Sequence, residues 1–369
     1  MPVSEQTRVG VIGVGGIGPV HIEGYRKLSS VSIVAVCDID LDRAQTIAQK
    51  YDIPKFYQKY ADLLADPDID AVSVCVPNVL HAEIAVAALK AGKHVISEKP
   101  MADTLAHAQE IVAAADEAAA KGQKFMLGMN NRFNGDTQVL RKAIDAGRLG
   151  EIYYAKCGWL RRNGIPGFGG WFTSKAQSGG GPLIDIGVHA LDLCLYLMDN
   201  PTPVAVSGST YAKFGPTGKG TGNWGVERHA ASKIYDVEDL AAGLVKMSNG
   251  ATLVIEASWA SHIRADHGPY ATLIGELGGA EIGASGGPGA AAAGLPPTIF
   301  TELDGQIVNI ELKSPHIAGH EAEIAHFVNC VRTDTTPIST AHQGLHVLQI
   351  LDALYRSAAA GSEVVIGAI

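Results

Sequence analysis

"RVGVIGVGGIG", residues 8–18, decides how this chain folds. The β-branched run at 8–13 reads as a strand, and Pro19 stands where a helix tolerates it, in the first turn. Between them Gly13, Gly15 and Gly18 form G-x-G-x-x-G. With 43 glycines in 369 residues that spacing also arises by accident, so the context carries the reading: a strand before, a helix after. In that setting Gly13 allows a tight turn, Gly15 lets the backbone approach a pyrophosphate, and Gly18 lets helix and strand pack closely. The free N–H groups at the helix start then face the phosphates. The competing reading is a plain strand-end turn. Asp38 favours the first. It ends the next strand (31–38), where an acid accepts hydrogen bonds from ribose hydroxyls and repels a 2′-phosphate. No basic residue follows until Arg43, so NAD is expected rather than NADP.

Working outward, apolar strands at 71–77, 94–98 and 124–130 alternate with helices at 41–51, 81–92 and 105–122. Asp103 or Thr104 is placed to cap the last of these. This alternation predicts an α/β fold with a doubly wound parallel sheet covered on both faces. After Gly150 it stops. Segments 151–160, 203–214, 240–248, 251–260, 270–276 and 305–312 read as strands without intervening helices, which implies an antiparallel sheet in an α+β domain. Residues 278–297 are Gly/Ala-rich and read as a flexible excursion. Helices at 320–333 and 341–361 end the chain, the second opened by Thr340 and Gln343 at capping-box spacing. The expected division is a dinucleotide domain at 1–130 and a substrate-binding and oligomerisation domain at 131–369, with the C-terminal helices packing back on the first domain.

The length favours two domains. A net charge of −9 with no Lys/Arg block gives nucleic acid or an anionic membrane no electrostatic footprint. The 5 cysteines are odd in number, lack C-x-x-C and sit mostly in apolar runs, as expected of reduced thiols in a cytoplasmic protein. The N-terminus has no signal-peptide pattern, and no uncharged apolar run reaches the ~18 residues of a membrane span.

Residues 183–198 read as an apolar helix with one narrow polar stripe. On a helical wheel Asp185, His189, Asp192 and Tyr196 share an arc of about 60°. Buried carboxylates need partners, water or a ligand. A satisfied structural network is one reading, and the preferred one for Asp192. An acid/base pair is another, since Asp185 and His189 at i, i+4 lie side by side. A metal set ranks last, because no second ligand cluster matches it. Lys99, in "SEKP", follows the strand 94–98 and so stands at a strand C-terminal end, where open α/β sheets bind ligands.

Several segments together resemble the Gfo/Idh/MocA family, named for glucose–fructose oxidoreductase, inositol dehydrogenase and a rhizopine-catabolism protein. They are "GVGGIG" (13–18) with His21, "VCDID" (36–40), "PNVLHAEIAVAALKAGKHVISEKP" (77–100), "MNNRF" (129–133), "GGGPLIDIGVHALDL" (179–193) and "VEDLAAGLVKMSNGA" (237–251). The resemblance implies a Rossmann domain followed by an open, mostly antiparallel sheet flanked by helices, one face of which pairs subunits into a dimer or tetramer. It implies that Lys99 binds and polarises a reacting oxygen, that Asp185 orients substrate or Lys99, and that His189 takes a hydroxyl proton as hydride leaves. It places Gly13, Gly15, Gly16, Ile17, Gly18, Asp38, Pro77, Asn78, His81, Glu98 and Lys99 on the cofactor. It places Asn130, with Lys99, Asp185 and His189, on the substrate. Residues 159–177 are rich in Trp, Phe, Arg and Gly. Aromatic faces and guanidinium forks suit a sugar ring, so Arg161, Arg162, Trp171 and Phe172 are candidates, each equally readable as loop packing; His262, Arg264 and His267 are weaker ones. The expected activity is NAD-dependent oxidation of a secondary hydroxyl of a cyclic polyol, sugar or glycoside, with no metal. The alternatives are redox-neutral, NAD-dependent glycoside cleavage and a non-catalytic NAD-binding regulator.

Overall fold

The computed structural model describes residues 6–222, 234–283 and 295–367. Contacts divide the chain into two units: Met1–Phe133 with Ile317–Leu345, and Asn134–His316 with His346–Ile369.

The first unit is built on six parallel strands: β1 (Thr7–Ile12), β2 (Val31–Cys37), β3 (Lys55–Tyr57), β4 (Ala71–Val74), β5 (His94–Glu98) and β6 (Phe125–Gly128). Their spatial order is β3-β2-β1-β4-β5-β6. The order runs outward from β1 in both directions, so the connections leaving β1 and β4 diverge and open a crevice at the strand C-terminal ends. The connecting helices are α1 (Gly18–Arg26), α2 (Leu41–Tyr51), α3 (Tyr60–Leu64), α4 (His81–Lys90) and α5 (Leu105–Ala119). β4 is buried along its whole length, which a parallel sheet achieves only with helices on both faces. Thr104 caps α5, its hydroxyl accepting from the His107 N–H.

The second unit carries a nine-stranded sheet: β7 (Ile152–Leu160), β8 (Pro203–Tyr211), β9 (Leu240–Met247), β10 (Thr252–Ser258), β11 (His267–Gly275), β12 (Gly278–Ile282), β13 (Thr298–Leu303), β14 (Gln306–Glu311) and β15 (Val364–Val365). The order is β14-β13-β12-β11-β7-β10-β9-β8-β15. Every neighbouring pair is antiparallel except β7 with β10. Leu253, Ile255 and Ala257 alternate inward on β10, all fully buried. Helices α6 (Gly135–Asp145) and α7 (Lys175–Ser178) precede α8 (Val188–Leu197), which lies along β7 and β11. The stretch Lys175–Leu197 has the length and hydropathy of a membrane span, but 83% of its most apolar window is buried inside the protein; it is a core segment.

One expectation fails here. The first part of the Gly/Ala-rich stretch is strand β12, inserted between β11 and β13, which hydrogen-bond to it from both sides. Its ladder comes from partners, so its own low complexity does not prevent order. Residues 284–294 of that stretch lie outside the described residues.

Two final helices complete the chain. α9 (Gly319–Thr333) belongs to the first unit, where Ile324, Phe327 and Val328 pack with Ile22 and Tyr25 of α1. α10 (Ala341–Ala360) starts with the capping box: the Gln343 N–H donates to Thr340 Oγ1 (3.3 Å) and the Thr340 N–H to Gln343 Oε1 (3.2 Å). Gln343 Oε1 also accepts from the buried Arg132 (2.6 Å). Because Ile324 is fully buried, Ile324→Ala should lower the unfolding free energy in urea by about 2–4 kcal/mol. A loss under ~1 kcal/mol would show that α9 is dispensable to this core.

Candidate functional site

The glycine turn is closed behind and open in front. Gly13 has φ +88°, and a Cβ there would stand 2.4 Å from the Cys75 carbonyl oxygen. At Gly18 a Cβ would stand 2.2 Å from the Gly13 carbonyl oxygen. Neither position accepts another residue without moving backbone. A Cβ on Gly15 meets only the Arg43 guanidinium at 3.7 Å, and one on Gly16 meets nothing within 4 Å. That free space before backbone and the start of α1 is a cradle that fits a dinucleotide's phosphates.

Asp38 is nearly buried and tied to this turn. Its carboxylate accepts from the Val14 N–H (3.1 Å) and the Asp40 N–H (3.0 Å). Arg43 Nη1 lies 3.3 Å from both Asp38 oxygens, and Nη2 lies 3.0 Å from Asp40. The cation that the sequence places five residues on therefore folds back onto Asp38. It partly offsets the acid's charge without removing its acceptor oxygens.

At the end of β5, Glu98 sits in a buried polar cluster. His21 Nε2 is 3.0 Å from Glu98 Oε1, and the Lys99 N–H donates to Glu98 Oε2 (3.2 Å). His21 Nδ1 meets Ser73 Oγ (3.0 Å), which also meets the Tyr25 hydroxyl (2.8 Å). Burial works against a charge on His21, but Cys75 and Glu98 beside it more than offset this and raise its pKa well above the usual imidazole value. Burial likewise opposes the Glu98 charge, and His21 overcomes it, bringing Glu98 down to about 2. The two shifts run in opposite directions, favouring a proton on His21 and a charge on Glu98. Lys99 itself is half-buried. Pro77 and Asn78 open the 3-10 turn before α4, and Asn78 is buried. The His81 ring nitrogens lie 2.6 Å from the Pro100 carbonyl and 2.8 Å from the Val76 carbonyl, and the neutral ring that burial favours donates to one of them. It packs between the loop after β4 and the loop after β5. Asn130 Oδ1 is buried with no hydrogen-bond partner among the described residues, an open acceptor at the end of β6.

The second unit gathers the other candidates on one short stretch. The chain enters it as a π turn, Leu183–Gly187, which runs directly into α8. The wheel at 100° per residue therefore does not extend back to Asp185; a π turn inserts an extra residue, a distortion common at functional sites. The exposure pattern still selects the same side chains. Asp185, His189 and Tyr196 are half-buried in a segment otherwise buried from 180 to 198, and Asp192 is buried at 1% exposure. Asp185 Oδ2 accepts from the Trp259 indole N–H (3.0 Å). The His189 ring lies 6.0 Å from the Trp159 ring, and the Arg161 guanidinium stands 4.9 Å over that same ring. Burial lowers the Arg161 pKa, with Asp185 and Asp266 opposing. Arg161, Asp185 and His189 thus come together around two tryptophans. Arg162 does not join them: it is exposed and bonds Asp266 and the Arg264 carbonyl. Trp171 and Phe172 stack on each other at 3.8 Å, and Phe172 packs on the aromatic cluster that holds Trp259. His262 and Arg264 are exposed, and His267 starts β11.

Sequence reading missed two supports. Trp259 follows β10 and anchors Asp185. Glu238, 7% exposed, accepts from the Gly181 N–H (2.9 Å), the Leu183 N–H (3.1 Å) and the Tyr355 hydroxyl (2.8 Å). It caps the π turn from a distant part of the chain, and Gly180 and Gly181 admit the close approach: a Cβ on either would stand 2.1 Å from Tyr355 or Glu238. Only the glycines at 179–181 hinted at it.

The comparisons bear on both units. Residues 7–126 match the oxidoreductase family with an NAD-binding Rossmann fold, and 137–281 match the GFO/IDH/MocA C-terminal domain. The chain belongs to the Gfo/Idh/MocA oxidoreductase family. It is an NAD-dependent oxidoreductase of that family, with the family's parallel Rossmann sheet and mixed, mostly antiparallel second sheet. It is 35% identical over 367 residues to D-glucoside 3-dehydrogenase of Escherichia coli strain K12, covering 98% of each chain. Inositol 2-dehydrogenase of Salmonella typhimurium strain LT2 is 39% identical over 148 residues, 39% of this chain and 43% of that one. In fold it is similar to levoglucosan dehydrogenase solved with NADH, with a TM-score of 0.82 at 23% identity over 99% of this chain and 100% of that one.

Two outcomes test this Gfo/Idh/MocA site. Asp38→Ser should weaken NADH binding by about tenfold and narrow its margin over NADPH, read by fluorescence titration. Glu238→Ala leaves two buried N–H groups and a hydroxyl unpaired, so urea unfolding should show a loss of about 2–4 kcal/mol.

Proposed function

We propose that this enzyme oxidises a secondary hydroxyl of a cyclic sugar, polyol or glycoside. The observation that carries the reading is the second unit's constellation: Asp185 and His189 set among Trp159, Trp259 and the Arg161 guanidinium. Flat aromatic faces suit the C–H faces of a ring, and the fork suits its hydroxyls. The match to a D-glucoside 3-dehydrogenase over the whole chain favours a glycoside among these substrates.

Bound NAD supplies the hydride acceptor. The protein does the rest. Lys99 holds and polarises the reacting oxygen, His189 takes the hydroxyl proton, and Asp185, fixed by Trp259, orients the substrate. General-base help of this kind contributes about 10²–10⁴-fold. Glu98, Asn78 and Pro77 frame the nicotinamide end, and Gly13–Gly18 with Asp38 the adenosine end. Asn130 offers its open acceptor to the substrate. Arg161 and Phe172 shape the sugar pocket with Trp171 at its margin, and Arg162 supports it through Asp266. Five buried free thiols support a reducing, cytoplasmic location. The second sheet's outer face, carrying Tyr154, Leu244, Val254 and Ile274, is proposed to pair subunits.

A panel of inositols, monosaccharides and glycosides tests the substrate class: one of them should yield stoichiometric NADH. Release of an aglycone without net NADH would overturn simple dehydrogenation. Lys99→Ala and His189→Ala should each keep NADH affinity and lose at least about 100-fold in kcat; ordinary turnover in either variant removes that residue from the chemistry.

A further inference from the structure

The hydride-transfer reading leaves a fully buried carboxyl group of the first unit unused. Glu323, on α9, is fully buried, and neither of its oxygens has a hydrogen-bond partner among the described residues. It faces Glu98. Atoms of Glu98, His320 and Glu323 lie within 4.8 Å of one another, and His320 Nδ1 is 3.7 Å from Glu323 Oε2. Two carboxylates do not both stay ionised in so small a buried space unless something positive stands between them. Glu98 already has its counterion: His21 holds one oxygen and the Lys99 N–H the other. The Glu98 contact favours a proton on His21, and that charge opposes a further cation beside it. A proton balances the charge with nothing added.

We propose that Glu323 is a positioning residue for the nicotinamide end of the cofactor site: it holds a proton in the space it shares with Glu98, and its ionisation tilts the site from reduced toward oxidised NAD. The electrostatic reason is direct. The oxidised nicotinamide ring is cationic and the reduced ring is neutral, so an extra negative charge beside Glu98 favours the oxidised form. The inference rests on the proposed placement of Glu98 against the nicotinamide.

The groups facing Glu323 are Glu98 on β5, His21 and Tyr25 on α1, Cys75 after β4, and His320 on its own helix. Burial pushes Glu323 up to about 7; His320 and His21 oppose this, and Glu98 reinforces it. Burial raises the pKa of both Tyr25 and Cys75. The raised value also fixes the sign for stability. The contribution of Glu323 is complete below the ordinary value of 4.5 and is lost as pH rises through about 7.

The test uses the full chain, Glu323→Gln and His320→Gln, with NAD+ and NADH affinities measured by calorimetry and fluorescence. In the wild type, preference for NAD+ over NADH should rise about 3- to 10-fold from about pH 6 to about pH 8.5. Glu323→Gln should flatten that rise and His320→Gln should keep it. A wild-type slope in Glu323→Gln, or its loss only in His320→Gln, overturns the proposal. Infrared spectra of the cofactor-free wild type give a second readout: a protonated-carboxyl C=O band that disappears through about pH 7 and is missing in Glu323→Gln. Absence of that band in the wild type overturns the proton assignment. Stabilisation of the wild type, but not Glu323→Gln, by Zn2+ or Mn2+ overturns it in favour of a cation. A titrating band with a pH-independent NAD+/NADH preference overturns the link to the cofactor, and locates the error in the placement of Glu98 rather than in the proton.

Discussion

Backbone packed on backbone, at Gly13 against the Cys75 carbonyl and at Gly18 against the Gly13 carbonyl, is the contact the nucleotide unit depends on. Gly13 also donates its N–H to the Cys37 carbonyl (2.8 Å). One residue therefore joins the C-terminal ends of β1, β2 and β4, where the strand order reverses direction. No side chain could fill that role, because none fits. The rest of the cofactor edge hangs from it: Asp38 follows Cys37 and accepts from Val14, and His21, one turn into α1, reaches Glu98 at the end of β5. The anion cradle and the charged pair are thus positioned by the same few ångströms of main chain.

The second unit solves a different problem, that of holding a carboxylate and an imidazole at the edge of an apolar core. Glu238 fixes where the π turn begins, by taking up N–H groups that its first residues leave unpaired. Trp259 fixes where Asp185 points. Burial raises the Glu238 pKa, and the hydrogen bonds from Gly181, Tyr355 and Leu183 work against that rise. The cost of burying this acid is offset by the hydrogen bonds it accepts, which in turn order the segment that carries Asp185 and His189.

Local signals were legible in the sequence and distant ones were not. The glycine turn, Asp38, the alternation of the first half and the Thr340–Gln343 capping box each involve residues close in sequence or one strand apart, and the structure has them. The polar side chains of 185–196 were found by periodicity, although the π turn moves Asp185 off the simple wheel. Strand β12 was missed because its order comes from β11 and β13 rather than from its own glycines and alanines. Glu238, Trp259 and Glu323 were missed for the same reason: each matters through a partner 50 or more residues away, and a lone acid or tryptophan carries no such label. In the sequence Arg43 is noted only as the first basic residue after Asp38; its 3.3 Å contact with the Asp38 oxygens appears once the intervening residues turn into α2.

The nucleotide-binding unit is not one continuous stretch of chain. It consists of Met1–Phe133 and Ile317–Leu345, with most of the other unit inserted between them. During synthesis the sheet emerges early, but Ile324, Phe327 and Val328 arrive only after nearly the whole second unit has been made. The apolar face of α1 that receives them must wait uncovered, exposed to mispairing or to chaperones. Recombining this protein with relatives is constrained in the same way: a single crossover near residue 133 would join the sheet of one parent to α9 of the other, and a matched exchange needs both pieces together.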